Sequence, residues 1–468
     1  MVSIERSCIV KPNEQTPDVK LRLSECDQIK PYTHAPTFYI YPPQNIDSNK
    51  SISSPFHTLK ISLSHVLVPY YPLAGRLNLI GGGRFVLNCN GLGAEIFEAE
   101  SQSEIKDLGD FRPTSETRKL IPTVDYTEDI SELPLLLVQL TRFKCGGISI
   151  GVAISHIVAD GKGALEFISS WANFARGENK LVVEPYHDRN VFYKGDPLSK
   201  PRFDHHELKA FPTLIGHDDA EEERKKECTN TMLKLSKTQV NKLKEMANEG
   251  KDATSRHYSR YEAIAAHIWR CASKSRKLQN AQLTSLRVPV DCRNRLKPTL
   301  PQGYYGNAVM VTSPIAEVGK LMLGLGDACD IIRQSAEMFN DDYIKSSIDF
   351  LANQEDLTKR RAGFHTDSQK GLFLGNPNVT ITSWLGLTIY DADFGWGKPI
   401  FMGPAGLGFD GKSFVIPVSD EDGSFVIPIR LQVTHMDDFK KLFYQDICCA
   451  HRKQIVATVN NDDCNLYE

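Results

Sequence analysis

No stretch of this 468-residue chain comes near the roughly 18 consecutive apolar residues that a membrane-spanning helix needs. A helical membrane protein is therefore not expected. A basic excess is missing too: 55 Lys and Arg stand against 58 Asp and Glu, for a net charge of −3. With no polybasic run either, neither nucleic acid nor an anionic membrane surface is an expected partner. Eleven cysteines are scattered with no C-x-x-C, and the adjacent Cys448 and Cys449 lack the usual spacing of a disulfide or zinc pair. Reduced thiols in a cytosolic protein are the simplest reading. The opening MVSIERSCIVKP carries charges by residue 5 and has no apolar core, so it does not read as a secretory signal. A P-loop, a Rossmann fingerprint and a metal-ligand cluster are also missing. Nothing in the sequence supports a metal or nucleotide-hydrolysing site.

What remains has the composition of a globular protein, 41% hydrophobic and 24% charged. The length exceeds what one core usually holds, so two domains are expected. Short β-like runs occupy the first part: TFYIYPP (37–43), GRFVLNCN (83–90), LLLVQLTRF (135–143) and ISIGVAISH (148–156). Apolar spacing predicts helices over 56–68 and 164–176, the second stopped by Gly177. Residues 186–227 are rich in Pro, His and charge and read as a long exposed connection between a domain over 1–185 and one over 228–468. The second part begins with a strand (229–236), two helices (237–250 and 260–276) and a strand (284–295). Its last hundred residues are mainly strand-like, with a late helix at 438–447. Alternating α and β elements in two halves predict α/β layers.

The stretch ISHIVADGKG (154–163) is the first candidate for chemistry. His156 leaves an apolar run just before a turn into a helix, a place that projects side chains into clefts. A neutral imidazole there can take a proton from a hydroxyl or amine near neutral pH. The bland alternative is a histidine at the core edge bonded to backbone. Asp160 either pairs with the imidazole or locks the turn, and the pattern alone leaves both open. Just upstream, GISIG (147–151) matches the nucleophile-elbow pattern of serine hydrolases. An elbow needs a sharp turn and a helix right after the serine. Ser149 instead lies inside a continuing strand-like run, so a hydrolase is the weaker alternative. YDADFGWGKPIFMGP (390–404) reads as a glycine-rich turn anchored by aromatics, and it lacks the catalytic and nucleotide loops that accompany D-F-G in kinases. GGGRF (81–85) reads as a hairpin turn.

HIVADG (156–161) and DFGWG (393–397), about 235 residues apart, together resemble the paired signatures of the plant BAHD acyl-CoA-dependent acyltransferases. The resemblance extends through LSECDQI (23–29), YYPLAGRL (70–77), GYYGNA (303–308) and TSWLGLTIYDADFGWG (382–397). Within the family the chain is most similar to hydroxycinnamoyltransferases, in particular to the spermidine type. The resemblance implies two similar-sized α/β domains related to chloramphenicol acetyltransferase, with mixed sheets and a long crossover loop. It implies a CoA thioester as co-substrate, no cofactor and no acyl-enzyme. His156 would be the general base in a channel between the domains. Asp160 would be a structural brace held by Arg293. Thr382 and Trp384 match oxyanion donors. His34, Thr37 and Tyr39 match residues lining the acyl and acceptor pocket, and Ser259 and Asn307 match positions on the CoA side. Asp393, Gly395 and Gly397 would be structural.

One departure bears on the acceptor. Shikimate-using members carry an arginine two residues after the tryptophan of TSW, a planar fork suited to a carboxylate. Here that position is Gly386. The resemblance then disfavours shikimate and quinate and leaves a polyamine such as spermidine as the expected acceptor, with O-acylation of another plant alcohol or acid as the alternative. Asp349, Glu355 and Asp391 are near the relevant segments, and each also reads as a solvated surface charge. A monomeric cytoplasmic enzyme is expected, with an acyl-CoA and a small acceptor as its partners.

Overall fold

ISIGVAIS is buried at all eight positions, as expected of a strand with neighbours on both sides and layers on both faces. A computed structural model describes residues 2–43, 54–195, 199–217, 220–252, 254–361, 372–419 and 422–455. Its strands in the first part are β1 (Val2–Val10), β2 (Val19–Arg22), β3 (His34–Tyr41), β4 (Arg76–Gly81), β5 (Arg84–Cys89), β6 (Ala94–Ser101), β7 (Leu136–Phe143) and β8 (Ile148–Ser155). The second part has β9 (Cys228–Leu235), β10 (Leu283–Asp291), β11 (Val309–Thr312), β12 (Ile315–Glu317), β13 (Val379–Ser383), β14 (Phe401–Pro404), β15 (Lys412–Pro417) and β16 (Phe425–Gln432).

Two mixed sheets carry the fold. The first has the order β1-β6-β7-β8-β3-β14, with β6 and β7 parallel. The second runs β11-β10-β13-β15-β16-β9, with β12 beside β10. A small sheet β2-β5-β4 contains the expected hairpin at Gly81–Gly83. The fold is α/β, as the alternating elements and the family resemblance implied. Strand β14 comes from the second part of the chain yet pairs with β3, Pro404 opposite Thr37 and Phe401 opposite Ile40. It ties the two halves together through backbone hydrogen bonds.

Helices Pro55–Val66 and Gly161–Ala175 pack together over the first sheet, where the Trp171 indole donates to Ser62 Oγ at 3.0 Å. The second helix starts three residues earlier than its apolar spacing suggests. Asp160 is its N-cap and accepts from the Gly163 N–H at 3.1 Å, so two glycines of poor helix propensity are held in the first turn. Gly177 ends it at φ +80°, a left-handed conformation that glycine adopts without strain. Helices Lys237–Ala247, Arg260–Ser275, Leu325–Glu337 and Val433–Ile455 cover the second sheet. Among the described residues, no helix is long and apolar enough to cross a membrane.

The connection 186–227, of which 196–198 and 218–219 lie outside the described residues, is not simply exposed. Arg189, His205 and Glu207 are buried. His205 Nε2 bonds Ser346 Oγ at 2.9 Å, and Tyr343 Oη donates to Glu207 at 2.8 Å, both on the helix Asp341–Ala352. Charged residues look solvated in a composition, but paired ones can be buried.

Candidate active site

Strand β8, interior in the first sheet, ends just before His156, whose backbone N–H donates to Thr33 O at 3.2 Å. The turn behind it is clamped from outside. Asn307 Nδ2 donates to the carbonyls of His156 (2.8 Å) and Ile157 (3.0 Å), and Arg189 Nη2 donates to that of Val158 (2.7 Å). Three successive carbonyls thus gain donors that neither strand nor helix would supply. Behind this layer sits fully buried Asp27. It accepts from the Asn307 backbone N–H at 2.8 Å and from Asn307 Nδ2 at 2.9 Å, and it pairs with Arg189 at 3.0 Å.

Asp160 turns away from the imidazole. Arg293 grips its carboxylate with two N–H groups at 2.9 and 3.0 Å, and the Ala308 and Gly163 N–H groups add bonds at 3.0 and 3.1 Å. Burial alone would raise its pKa. The Arg293 charge and these hydrogen bonds outweigh burial and hold it below the ordinary carboxylate value. The carboxylate is fully committed to the brace.

His156 is half-buried, and burial first, then the charge of Lys30, lowers its pKa to about 4. The imidazole is therefore neutral across physiological pH, the form that can accept a proton. Lys30 itself is buried and donates to Val309 O.

The TSWLGL segment closes on this turn from the second sheet. A Cβ on Gly161 would lie 3.8 Å from Leu387 Cδ1. Trp384 and Leu387 pack on the same apolar cluster as Ile157 and Val158. Thr382 stands on β13 opposite Phe414 of β15, and the Trp384 ring lies 5.0 Å from that of Phe414. Lys412 Nζ donates to Thr382 Oγ1 at 2.7 Å. Gly386 is exposed with φ +77° and has open space where a side chain would begin. A cavity of about 330 Å³ adjoins the strand pair that leads to His156. Its polar lining includes Thr33, His34, Arg118, Tyr126, Asn230 and Arg430 and, among the described residues, no carboxylate.

A profile of the transferase family matches residues 1–446. The chain is 62% identical over 453 residues to a hydroxycinnamoyl-CoA:piscidic acid hydroxycinnamoyltransferase of Actaea racemosa, covering 96% of this chain and 100% of the relative. It is 40% identical to a shikimate O-hydroxycinnamoyltransferase of Nicotiana tabacum, covering 95% and 99%.

The chain belongs to the BAHD acyltransferase family.

It is an acyl-CoA-dependent acyltransferase, and the hydroxycinnamoyltransferases are its relatives. The solved structure of vinorine synthase shares the fold, with a TM-score of 0.70 at 23% identity, covering 94% of this chain and 96% of that one.

Other expected site residues of this BAHD enzyme fall in varied places. His34 lines the cavity and bonds Tyr126 Oη (3.0 Å) and Pro134 O (2.8 Å); burial lowers its pKa to about 4. Thr37 is half-buried on β3. Tyr39 is enclosed in the core with no exposed surface. Asn307, expected on the CoA side, is fully buried and its amide N–H₂ is committed to the turn of His156. Ser259 is exposed and caps the helix Arg260–Ser275, accepting from Glu262 N at 3.2 Å. Ser149 is fully buried near the start of β8, between Ile40 and Thr141, and the strand runs on to Ser155 with no turn or helix directly after the serine. This is strand geometry, not a nucleophile elbow. Asp393 accepts from the N–H groups of Gly395 (2.8 Å) and Gly397 (2.9 Å), while Phe394 and Trp396 pack on Trp171 and Tyr41.

Asp349 accepts from Tyr193, Asp391 pairs with Lys398 at 3.6 Å, and Glu355 is exposed near the β4–β5 turn. None of the three lines the cavity. Among the described residues, His267, Cys271 and Asp446 lie close enough to share a metal. Lys274 already pairs with Asp446, and burial raises the Cys271 pKa, which disfavours the thiolate a metal would need. Sequence reasoning missed Asp27, Arg189 and Lys412. Asp27 lay in plain view inside LSECDQI, but nothing there linked it to residue 307.

Proposed function

We propose that this enzyme transfers a hydroxycinnamoyl group from its CoA thioester to a hydroxyl group of a carboxylic-acid acceptor, with His156 as general base. The observation that carries the acceptor class is the 62% identity, over essentially the full length, to an enzyme whose acceptor is piscidic acid. The acceptor O–H gives its proton to the neutral imidazole as its oxygen attacks the thioester carbonyl. The negative charge on the carbonyl oxygen is held by Thr382 and Trp384. The intermediate collapses, the C–S bond breaks, and the imidazolium returns the proton to the leaving CoA thiolate. Both substrates meet in one channel, so proximity replaces a covalent intermediate. In this reading Arg293 braces Asp160, and the chain divides into 1–185, 186–227 and 228–468. It works as a cytosolic monomer.

A spermidine acceptor is the second reading, favoured by Gly386, which would not repel a cation. The piscidic acid acceptor of the 62% identical relative weighs toward an anion. The test is CoA release and product mass with coumaroyl-, caffeoyl- or feruloyl-CoA against piscidic acid, other hydroxy acids, shikimate and spermidine. A hydroxy acid is expected to lead spermidine by about 10-fold or more in kcat/KM. Spermidine as the best acceptor would overturn the proposal.

A further inference from the structure

We infer that Lys412 is a positioning residue for the oxyanion: its ammonium group fixes the Thr382 hydroxyl as a donor toward the acyl oxygen. This rests on the reading of Thr382 as an oxyanion donor.

The direction of the hydrogen bond follows from the chemistry of the pair. An ammonium has three donors and no acceptor, so Thr382 Oγ1 must accept the 2.7 Å bond from Lys412 Nζ. The hydroxyl then has one hydrogen left to give, and it gives it elsewhere. Donation from a cation also polarises the O–H and strengthens it as a donor. A positive charge thus stands one hydrogen bond behind the point where negative charge develops.

Lys412 has no evident structural reason to be charged. It is 7% exposed, and among the described residues no carboxylate pairs with it. Asp410, two residues back, is taken by Arg276 at 2.8 Å and by the N–H groups of Asn376 and Gln432. The ammonium lies 4.5 Å from the centroid of the Phe414 ring, a modest compensation for its buried charge. The neighbouring strands add no anion toward it. β13 carries no charged residue, and β16 carries Arg430. β10 carries Arg287, which stands abreast of Thr380 and Lys412 across three strands, and ends in Asp291, four residues further on and paired with Arg293 at 3.4 Å. A buried cation among cations is costly, and a role at the oxyanion accounts for keeping it.

The charge is conditional. Burial, and then the Arg287 charge, lowers the Lys412 pKa to about 7. Below that pH the ammonium donates to Thr382. Above it the neutral amine can accept the Thr382 proton, which turns the hydroxyl away from the substrate.

The test compares Lys412→Met, Thr382→Ala and the double variant in kcat, KM and melting temperature. Thr382→Ala is expected to lower kcat about 100-fold, and Lys412→Met about 10-fold with both KM values nearly unchanged. The double variant is expected to be no slower than Thr382→Ala alone, because Lys412 acts through Thr382. Lys412→Met is expected to melt no lower than the parent protein, since it removes an unpaired buried charge. If Lys412→Met does not fold, the unsubstituted enzyme supplies the readout: an alkaline decline in kcat near pH 7 that Thr382→Ala lacks. A full rate in Lys412→Met, an additive loss in the double variant, or the same alkaline decline in both enzymes overturns the inference. A full rate in Thr382→Ala overturns the reading of Thr382 and the inference together.

Discussion

His156→Ala is expected to lower kcat by about 10²–10⁴-fold, the range that general-base assistance contributes. The loss should fall on turnover and not on substrate binding. The turn is held from outside, by Asn307 on the carbonyls of His156 and Ile157 and by Arg189 on that of Val158, and none of these bonds uses the imidazole. The variant should therefore keep its backbone geometry and its affinity for acyl-CoA. Steady-state kinetics with saturating acyl-CoA, together with calorimetric binding of CoA, separate the two effects. Turnover at the parent rate would show that another group takes the acceptor proton. Ser149→Ala is the matched control, and it should leave turnover nearly unchanged because Ser149 is sealed inside the sheet.

The second large effect is on stability. Arg293→Met removes both N–H donors from a carboxylate that is 2% exposed. Leaving a buried charge without its partner costs roughly 3–5 kcal/mol. Urea unfolding should show that loss. Kinetics should also show a lower kcat, because Asp160 caps the helix that follows His156 and anchors Ala308. The double variant Asp160→Asn with Arg293→Met should recover much of the stability, since an asparagine still caps the helix and carries no charge. It should not recover the full rate, because the turn loses its bond to the residue 293 side. A double variant as unstable as Arg293→Met alone would mean that the pair contributes through packing and not through charge.

The Asp160–Arg293 contact shows how far the sequence reaches. From the motif alone, Asp160 could as well have paired with the imidazole. Only the chain-wide match to the family's two signatures pointed to Arg293, and the structure places that guanidinium on the carboxylate. The main strands and helices were legible because their apolar positions repeat at the spacing of a buried face. The start of the helix at Gly161 was not, because a side-chain cap overrides the weak propensity of two glycines. The layer behind the turn of His156 was equally hidden. Asp27, Arg189 and Asn307 come from three distant segments, and no periodicity connects a buried acid to an arginine more than a hundred residues away. The same blindness made the connection 186–227 look exposed. Lys412 resembles any strand-end lysine until its ammonium is seen on Thr382.

The central claim is that a half-buried, neutral His156 is the base. The acid limb of kcat/KM reports the pKa of that base in the free enzyme. Burial and Lys30 lower it to about 4, so the basic form persists well below the ordinary histidine range. kcat/KM, measured by CoA release, is expected to be still on its plateau at about pH 5.5 and to fall only as the pH approaches that lowered value, below the ordinary histidine pKa of about 6.5. Loss of half the activity at about pH 6.5 would contradict it.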